Sequence, residues 1–266
     1  MLELWWLGQA GFRLHDPRSG VRVFCDPFLT PDEFRRWQAP IDPAALAREA
    51  DMVLVSHQHI DHFDQPALRA AATAEGSHFT LVLPRPLVSD ALALGFAADR
   101  VVGAQPGDSL AIDGVNVWPV PASHGVDVVD AYNFGEALSE GLVRYLGFVV
   151  EIGGARVYHA GDCIPYAGQV DRVRALRPNV ACLPINGRDF YRESEHNIVG
   201  NMDSREAARL AHDLGVDVLV PMHWELFETN RGYPGDLVAH VAERYPSLSV
   251  LVMGRGARVT LGLERV

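Results

Sequence analysis

Cysteine is scarce in this chain. Cys25, Cys163 and Cys182 are the only three among 266 residues. Their number is odd, their spacing is wide and no CxxC pair occurs. They build neither a disulfide framework nor a thiolate zinc knuckle, and a reducing, cytoplasmic location is expected. Long apolar runs are missing too. None approaches the ~20 residues that a membrane helix needs, and the start Met1 to Gly8 lacks the basic segment of a signal peptide. Cations are outnumbered: 23 Lys and Arg face 34 Asp and Glu, for a net charge of −11. Such a surface repels a phosphate backbone, which argues against nucleic acid as the main partner. A small anionic substrate stays admissible, because a metal or a local cationic site inverts the field.

What is present reads as an ordinary globular composition, 48% hydrophobic and 21% charged, with enough length to bury a core. No linker rich in Gly, Pro or Ser divides it, so a single domain over residues 1–266 is expected. Assembly into a homo-oligomer stays open.

Short apolar runs punctuated by glycine predict strands over Leu2 to Leu7, Ala10 to Leu14, Val21 to Cys25 and Met52 to Val55. Helices are expected over Pro66 to Ala74 and Pro86 to Leu94, with a strand at Phe79 to Leu83 between them. Strands follow at Ser109 to Ile112, Val115 to Val120, Leu146 to Ile152 and Arg156 to His159, the last two joined by a Gly153-Gly154 hairpin. The final third alternates. Helices fall at Val170 to Leu176, Ser204 to Leu214 and Asp236 to Arg244, and strands at Val180 to Leu183, Val216 to Val220 and Leu248 to Met253. Asp203 or Ser204 caps the middle helix. The order is that of an α/β protein with sheets covered on their outer faces, an αββα layering. Gly125 to Gly141 is long, irregular and acidic, and reads either as a lid or as a solvated excursion.

The densest chemistry lies in Ser56-His57-Gln58-His59-Ile60-Asp61-His62. His57, His59, Asp61 and His62 are nitrogen or oxygen donors for a divalent metal. A helix would point His57 and His59 to different faces. An extended turn just after a buried strand points them the same way. His124, Asp162 and His223 each stand where a later strand gives way to a loop, so all three can converge on the same rim.

The HxHxDH run, a downstream His, a Gly-Asp after a strand and a final His resemble the metallo-β-lactamase fold superfamily over essentially the whole chain. The resemblance implies a four-layer αββα sandwich and two divalent ions. His57, His59 and His124 would hold one ion, Asp61, His62 and His223 the other, and Asp162 would bridge them. His159 matches a position that is commonly His but not a ligand. The segments Trp5-Trp6-Leu7-Gly8, Pro106-Gly107-Asp108, Tyr158 to Asp162 and Asn186-Gly187 are similar to the L-ascorbate-6-phosphate lactonase branch. The segments Asn186 to Arg192 and Asn197 to Met202 look like those of lactonase-like relatives.

The expected activity follows. Two ions bridged by Asp162 lower the pKa of a water held between them, and the resulting hydroxide attacks an electrophilic carbonyl or phosphorus. Asp61 and Asp162 are the expected catalytic residues. The donor set suits zinc, manganese and iron alike. The lactonase resemblance tilts toward manganese and superfamily usage toward zinc. Asn186, Arg188 and Tyr191 are the expected substrate residues, with Arg188 clamping an anionic group or merely pairing with Asp189. Arg192 and His196 share that loop. The leading expectation is a hydrolase of a lactone or ester of a small, phosphorylated sugar-like molecule. A phosphodiesterase on a small or cyclic phosphate and a non-enzymatic metal-binding module are the alternatives. Trp5 and Trp6 are expected on opposite faces of the first strand. Trp224 lines a pocket or packs in the core, and Cys163 either tunes the site or is a small buried hydrophobe.

Overall fold

The structure, a computed structural model, describes residues 1–124, 142–187, 189–196 and 200–262. The expected segment Gly125 to Gly141 lies outside the described residues.

Two seven-stranded mixed sheets face each other. The first contains β1 (Leu2–Gly8), β2 (Gly11–His15), β3 (Arg22–Cys25), β4 (Met52–Leu54), β5 (Thr80–Pro84), β6 (Val101–Ala104) and β14 (Arg258–Leu261), in the order β14-β1-β2-β3-β4-β5-β6. The second contains β7 (Leu110–Ile112), β8 (Val115–Pro121), β9 (Leu146–Ile152), β10 (Ala155–His159), β11 (Val180–Pro184), β12 (Val218–Met222) and β13 (Ser249–Val250), in the order β13-β12-β11-β10-β9-β8-β7. In each sheet an antiparallel half adjoins a parallel half, β3 to β6 in one and β10 to β13 in the other.

Residue alternation sets the layering. Leu2, Leu4 and Trp6 point into one core together with β8 to β12, while Trp5 and Leu7 point into another. Period-two alternation puts successive side chains on opposite faces. The two tryptophans therefore separate as expected. The outer core of the first sheet is closed by α1 (Pro43–Glu49), α2 (Gln65–Thr73) and α3 (Val88–Ala93), through Leu46, Leu68 and Ala91. The second sheet is covered by α4 (Gln169–Ala175), α6 (Ser204–Leu214) and α7 (Pro234–Arg244), through Val173, Leu210 and Leu237. A further helix, α5 (Phe190–His196), follows β11. The fold is the expected αββα sandwich.

Local chemistry sets the boundaries. Gly153-Gly154 takes φ 59° and 80°, the left-handed pair that a two-residue hairpin requires. Asp203 accepts from the N–H groups of Arg205 and Glu206, and Glu206 accepts from the Asp203 N–H in return. This closed capping box starts α6.

Some elements differ from expectation. α1 goes beyond the expected set, because it is only seven residues long and shows no full apolar period. Its start is nonetheless marked by the Asp42 cap and Pro43. Gly103 disguises β6; a Cβ there would lie 2.7 Å from Val88 Cγ2, so the strand needs glycine to pass the helix. β14 pairs with β1 from the far end of the chain, a contact that no local pattern announces. The expected strand over Leu248 to Met253 forms two ladder residues only, Ser249 and Val250, beside Val218 and Leu219.

Gly187 shows how tightly the loops over the sheets are packed. A Cβ on it would sit 2.0 Å from the Met202 carbonyl carbon. Neither backbone can shift cheaply. Gly187→Ala is expected to lower stability by about 3 kcal/mol, read as a fall in the midpoint of chemical denaturation.

Candidate metal centre

The site forms where the strands of both sheets end. β4 delivers Ser56, whose N–H and hydroxyl donate to Asp26 at 2.7 and 2.6 Å. The Leu146 N–H donates to the Ser56 carbonyl at 2.9 Å, which ties the end of one sheet to the start of β9 in the other. Beyond Ser56, the N–H groups of His62 and Phe63 both donate to the His59 carbonyl. This winds the His-rich run into a tight turn. β8 delivers His124, β10 delivers Asp162 through Gly161, and β12 delivers His223. Gly161 has φ 60°, and a Cβ on it would meet the Leu146 carbonyl oxygen and Ser56 Cβ at 2.8 Å. Only glycine lets Asp162 approach this closely.

All seven residues expected as ligands meet, and the six others surround Asp162. His57, His59, His124 and Asp162 form one group whose donor atoms lie within 4.8 Å of one another; Asp61, His62 and His223 form a second. Asp162 faces both groups. Its Oδ2 is 3.5 Å from His124 Nε2 and 4.0 Å from His57 Nε2. Its Oδ1 is 3.1 Å from His223 Nε2 and 3.2 Å from His62 Nε2. One oxygen is turned to each group, as a bridging carboxylate requires.

The fit to cations can be tested on the unsatisfied atoms. His57 Nε2, His62 Nε2 and Asp162 Oδ1 are buried and lack a hydrogen-bond partner. Such groups are costly unless something pairs with them. Opposed lone pairs from imidazoles and carboxylates need a cation, and the donor set is that of a divalent metal site. The residues fit the group.

The remaining ring nitrogens are oriented by partners beyond the expected set. His57 Nδ1 lies 2.9 Å from Ser56 Oγ, His62 Nδ1 2.7 Å from Asp26 Oδ2 and His124 Nδ1 2.8 Å from the Gly200 carbonyl. Partners of this kind fix tautomer and ring orientation. Asp26 is buried and directly follows β3. The strand-end position that singles out Asp162 applies equally to Asp26-Pro27. Tyr145, also outside the expected set, packs its ring 5.3 Å from that of His57 and 5.4 Å from that of His124.

His159 takes no ligand position. Its Nε2 lies 2.8 Å from the Ala10 carbonyl, and its Nδ1 accepts from the Gly161 N–H at 3.3 Å. Both ring nitrogens are occupied, so the packed reading holds. Cys163 is buried, and burial pushes its thiol up to about 12, which leaves it an inert neutral group. Trp224 stacks on Trp6 at 5.3 Å, partly buried against the core.

The expected substrate residues divide. Arg188 and the segment Asn197 to Val199 lie outside the described residues. Asn186 is fully buried after the end of β11, and neither of its amide atoms has a partner. Tyr191 sits on α5 and is 62% exposed. Arg192 donates to the carbonyls of Asn186, Gly187 and Arg231, so it staples the loop. Asn201 accepts from the Cys163 N–H at 3.0 Å. The described part of this loop mainly braces the metal ligands.

Burial and charge set the protonation states. Burial pushes His57 well down and holds His124 at about 4, so both offer neutral lone pairs. Burial works against protonated His62 and His223 as well, yet the carboxylates of Asp162 and Asp61 outweigh it and raise both. Asp26 adds to the effect on His62. The same imidazoles hold Asp162 well below the usual carboxylate range, against its burial.

A family described as the Beta-lactamase superfamily domain matches residues 21–224. The chain belongs to that superfamily. A UPF0173 metal-dependent hydrolase from Rubrobacter xylanophilus is 30% identical over 257 residues, covering 94% of this chain and 93% of the relative. The metallo hydrolase Igni18 from Ignicoccus hospitalis is 23% identical, with a TM-score of 0.73 and 99% of each chain covered. An isothiocyanate hydrolase from Delia radicum gut bacteria is 18% identical, with a TM-score of 0.74, covering 97% of this chain and 98% of that one. At these identities the two structures speak for the fold alone.

Below their raised pKa values His62 and His223 each carry a proton that must leave before a metal binds. Zinc added to metal-stripped protein at neutral pH is therefore expected to release roughly one to two protons per chain, fading as the pH rises past those values. Titration calorimetry in buffers of different ionisation enthalpy measures this. Asp26→Asn is expected to weaken metal binding roughly 10- to 100-fold, followed by competition with a chelator.

Proposed function

We propose that the chain is a dinuclear metal-dependent hydrolase acting on a lactone or ester of a small anionic molecule. The observation that carries this reading is the placement of Asp162, with one oxygen toward each group of ligands. His57, His59 and His124 would hold one divalent ion and Asp61, His62 and His223 the other, with Asp162 shared. When bound, such ions supply Lewis acidity and make water acidic enough to act as a nucleophile near neutral pH. Zinc or manganese fits the nitrogen and carboxylate donors, and iron suits them too.

The chain's own residues supply the rest. Asp61 orients the attacking water by accepting a hydrogen bond from it. The buried, low-dielectric surroundings of Asp61 and Asp162 strengthen each such contact. Tyr145 and Phe227, whose rings lie 5.3 Å from His57 and 6.0 Å from His223, limit bulk water at the site.

Beside the ligand turn is a cavity of about 550 Å³ lined by Gln58, Ile60, Phe63, Gln65, Pro66 and Arg69. Gln58 and Ile60 alternate with the ligands His57, His59 and Asp61 along the chain. A mostly apolar wall with one guanidinium suits a small molecule carrying one anionic group. Of the expected substrate residues, Asn186 best supports a further polar contact, because both of its amide atoms are unpaired. Arg188 and Tyr191 remain in the proposal as the flanking grip. The three cysteines are free and buried, which supports a reducing compartment, the cytoplasm, as the place of action. No helix among the described residues is long and apolar enough to cross a membrane.

A panel of lactones, carboxylic esters, phosphodiesters and phosphorylated sugars tests the reading. Hydrolysis of lactones or esters is expected, and turnover of phosphodiesters alone refutes it. Asp162→Ala should lose roughly 99% or more of the activity, equivalent to about 3 kcal/mol or more of lost stabilisation. Arg69→Ala should raise KM roughly tenfold for an anionic ester, as loss of one charged hydrogen bond implies, and leave KM for a neutral ester unchanged. Steady-state kinetics with matched anionic and neutral esters decide the point.

A further inference from the structure

Gln9 lies in the tight turn between β1 and β2 and is fully buried. Its φ is 52°, a left-handed value. Its carbonyl accepts from the His223 N–H at 2.9 Å and from the Trp6 indole N–H at 3.1 Å, so its backbone is fixed against the site. Its side chain ends among the second group of ligands. Nε2 lies 2.8 Å from Asp61 Oδ2 and also 2.8 Å from His223 Nε2. Oε1 is buried and has no partner.

We propose that Gln9 is a further ligand of the ion held by Asp61, His62 and His223, binding through Oε1 once its amide has turned over. This rests on the dinuclear reading above.

Lone pairs decide the orientation of the amide. A neutral imidazole has one ring nitrogen with a lone pair and one that carries N–H, so His223 Nε2 offers one lone pair at most. The Gln9 NH₂ group donates to Asp61 and lies within hydrogen-bond distance of His223 Nε2. An ion bound by those same two atoms takes the His223 lone pair. The NH₂ group would then direct its hydrogens at a cation, with no acceptor left on His223. Half a turn about the last side-chain bond exchanges NH₂ and Oε1 without changing the shape of the side chain. It brings the orphaned oxygen to the place where the cation needs a donor. Amide oxygens serve as neutral oxygen ligands to hard divalent ions.

The spacing agrees. Two ligand atoms about 2.0–2.1 Å from one ion and at right angles to each other are about 3 Å apart. The Gln9 terminus is 2.8 Å from Asp61 Oδ2 and from His223 Nε2, and Asp162 Oδ1 is 3.1 Å from the same His223 nitrogen. The end of Gln9 therefore occupies one more corner of the same cluster. Gln58, the neighbour of the first group in sequence, also has a buried, unpartnered Oε1, but its Nε2 donates to the Tyr145 hydroxyl at 2.9 Å rather than lying against two ligand atoms as that of Gln9 does.

The test is cobalt(II) binding to metal-stripped wild type, Gln9→Ala and Gln9→Glu, read by titration calorimetry and by visible absorption. Wild type is expected to take two ions. Gln9→Ala should bind the first with unchanged affinity and the second roughly 10- to 100-fold more weakly, with a changed visible spectrum in the second step. Gln9→Glu keeps the shape and adds a charge, so it should bind the second ion more tightly than wild type. Two ions taken up by Gln9→Ala with wild-type affinities and spectrum overturn the assignment of Gln9 alone. Should Gln9→Ala not fold, an unchanged second affinity in Gln9→Glu overturns it. Wild type taking up fewer than two ions defeats the dinuclear reading itself, and this assignment with it.

Discussion

Burying a carboxylate costs several kilocalories per mole unless opposite charge or several hydrogen bonds meet it. This chain buries three within one small volume: Asp26, Asp61 and Asp162. Their partners among the described residues are imidazoles, the Ser56 hydroxyl and N–H and the Gln9 amide. None of these is a fixed cation. Imidazoles can balance the charge only by taking up protons, which is what the raised pKa values of His62 and His223 express. A proton on Nε2 removes the lone pair that the geometry aims inward. Divalent cations resolve the conflict, because they supply charge and leave every lone pair engaged. The rest of the structure can be understood as a frame that keeps these groups close despite their repulsion.

The frame works by ending strands at one rim. β3 supplies Asp26, β4 the His-rich turn, β8 His124, β10 Asp162 and β12 His223. Hydrogen bonds then lock these ends across the two sheets and along the rim. The Leu146 N–H reaches the Ser56 carbonyl, the Ala160 N–H the Cys182 carbonyl and the Met202 N–H the Cys163 carbonyl. Each bond is backbone to backbone, so each depends on strand register rather than on any side chain. A one-residue slip in β4 or β10 would turn a ligand away from the site. The apolar alternation along the strands thus sets the metal geometry indirectly.

This division accounts for how much of the site is legible in the sequence. His57, His59, Asp61 and His62 stand out because dense metal-type donors after a buried strand leave little room for any role but metal binding. His124, Asp162 and His223 stand out because they share that position. Asp26 has the same position but stands alone before a proline, away from any histidine in sequence. Gln9 belongs to a residue type that rarely announces a metal. The loop after β11 is harder to read for a different reason. Asn186, Arg188 and Tyr191 read as groups available to a substrate, with Arg192 in the same loop. Yet Gly187 is required by the Met202 backbone, Arg192 is consumed by three carbonyls, and Asn201 braces Cys163. Polar loop residues next to a site can either hold the ligands or meet the substrate. Composition does not separate these roles, whereas hydrogen bonds do. β6 and β14 escape a sequence reading because their signals are tertiary: a glycine under a helix, and a partner strand at the far end of the chain.

Backbone strain points to the same place as the charges. Six non-glycine residues among those described have positive φ. Asp113 lies in a hairpin turn beside Gly114, Arg177 follows α4 and Arg36 lies in the turn closed by the Asp32–Trp37 bridge, ordinary settings for that conformation. Gln9, Asp26 and His223 are different, with φ of 52°, 42° and 59°, and all three meet at the metal centre. Left-handed non-glycine residues each cost on the order of 1 kcal/mol or more and persist where their surroundings over-determine them. Here the surroundings hold them in place: the His223 N–H donates to the Gln9 carbonyl, and the Asp26 N–H donates to the Leu54 carbonyl on β4. Relaxing any one would swing a ligand or its brace out of the cluster. Electrostatic conflict and backbone strain are therefore concentrated on the same few residues, and one event, the arrival of cations, relieves the first while the sheets tolerate the second.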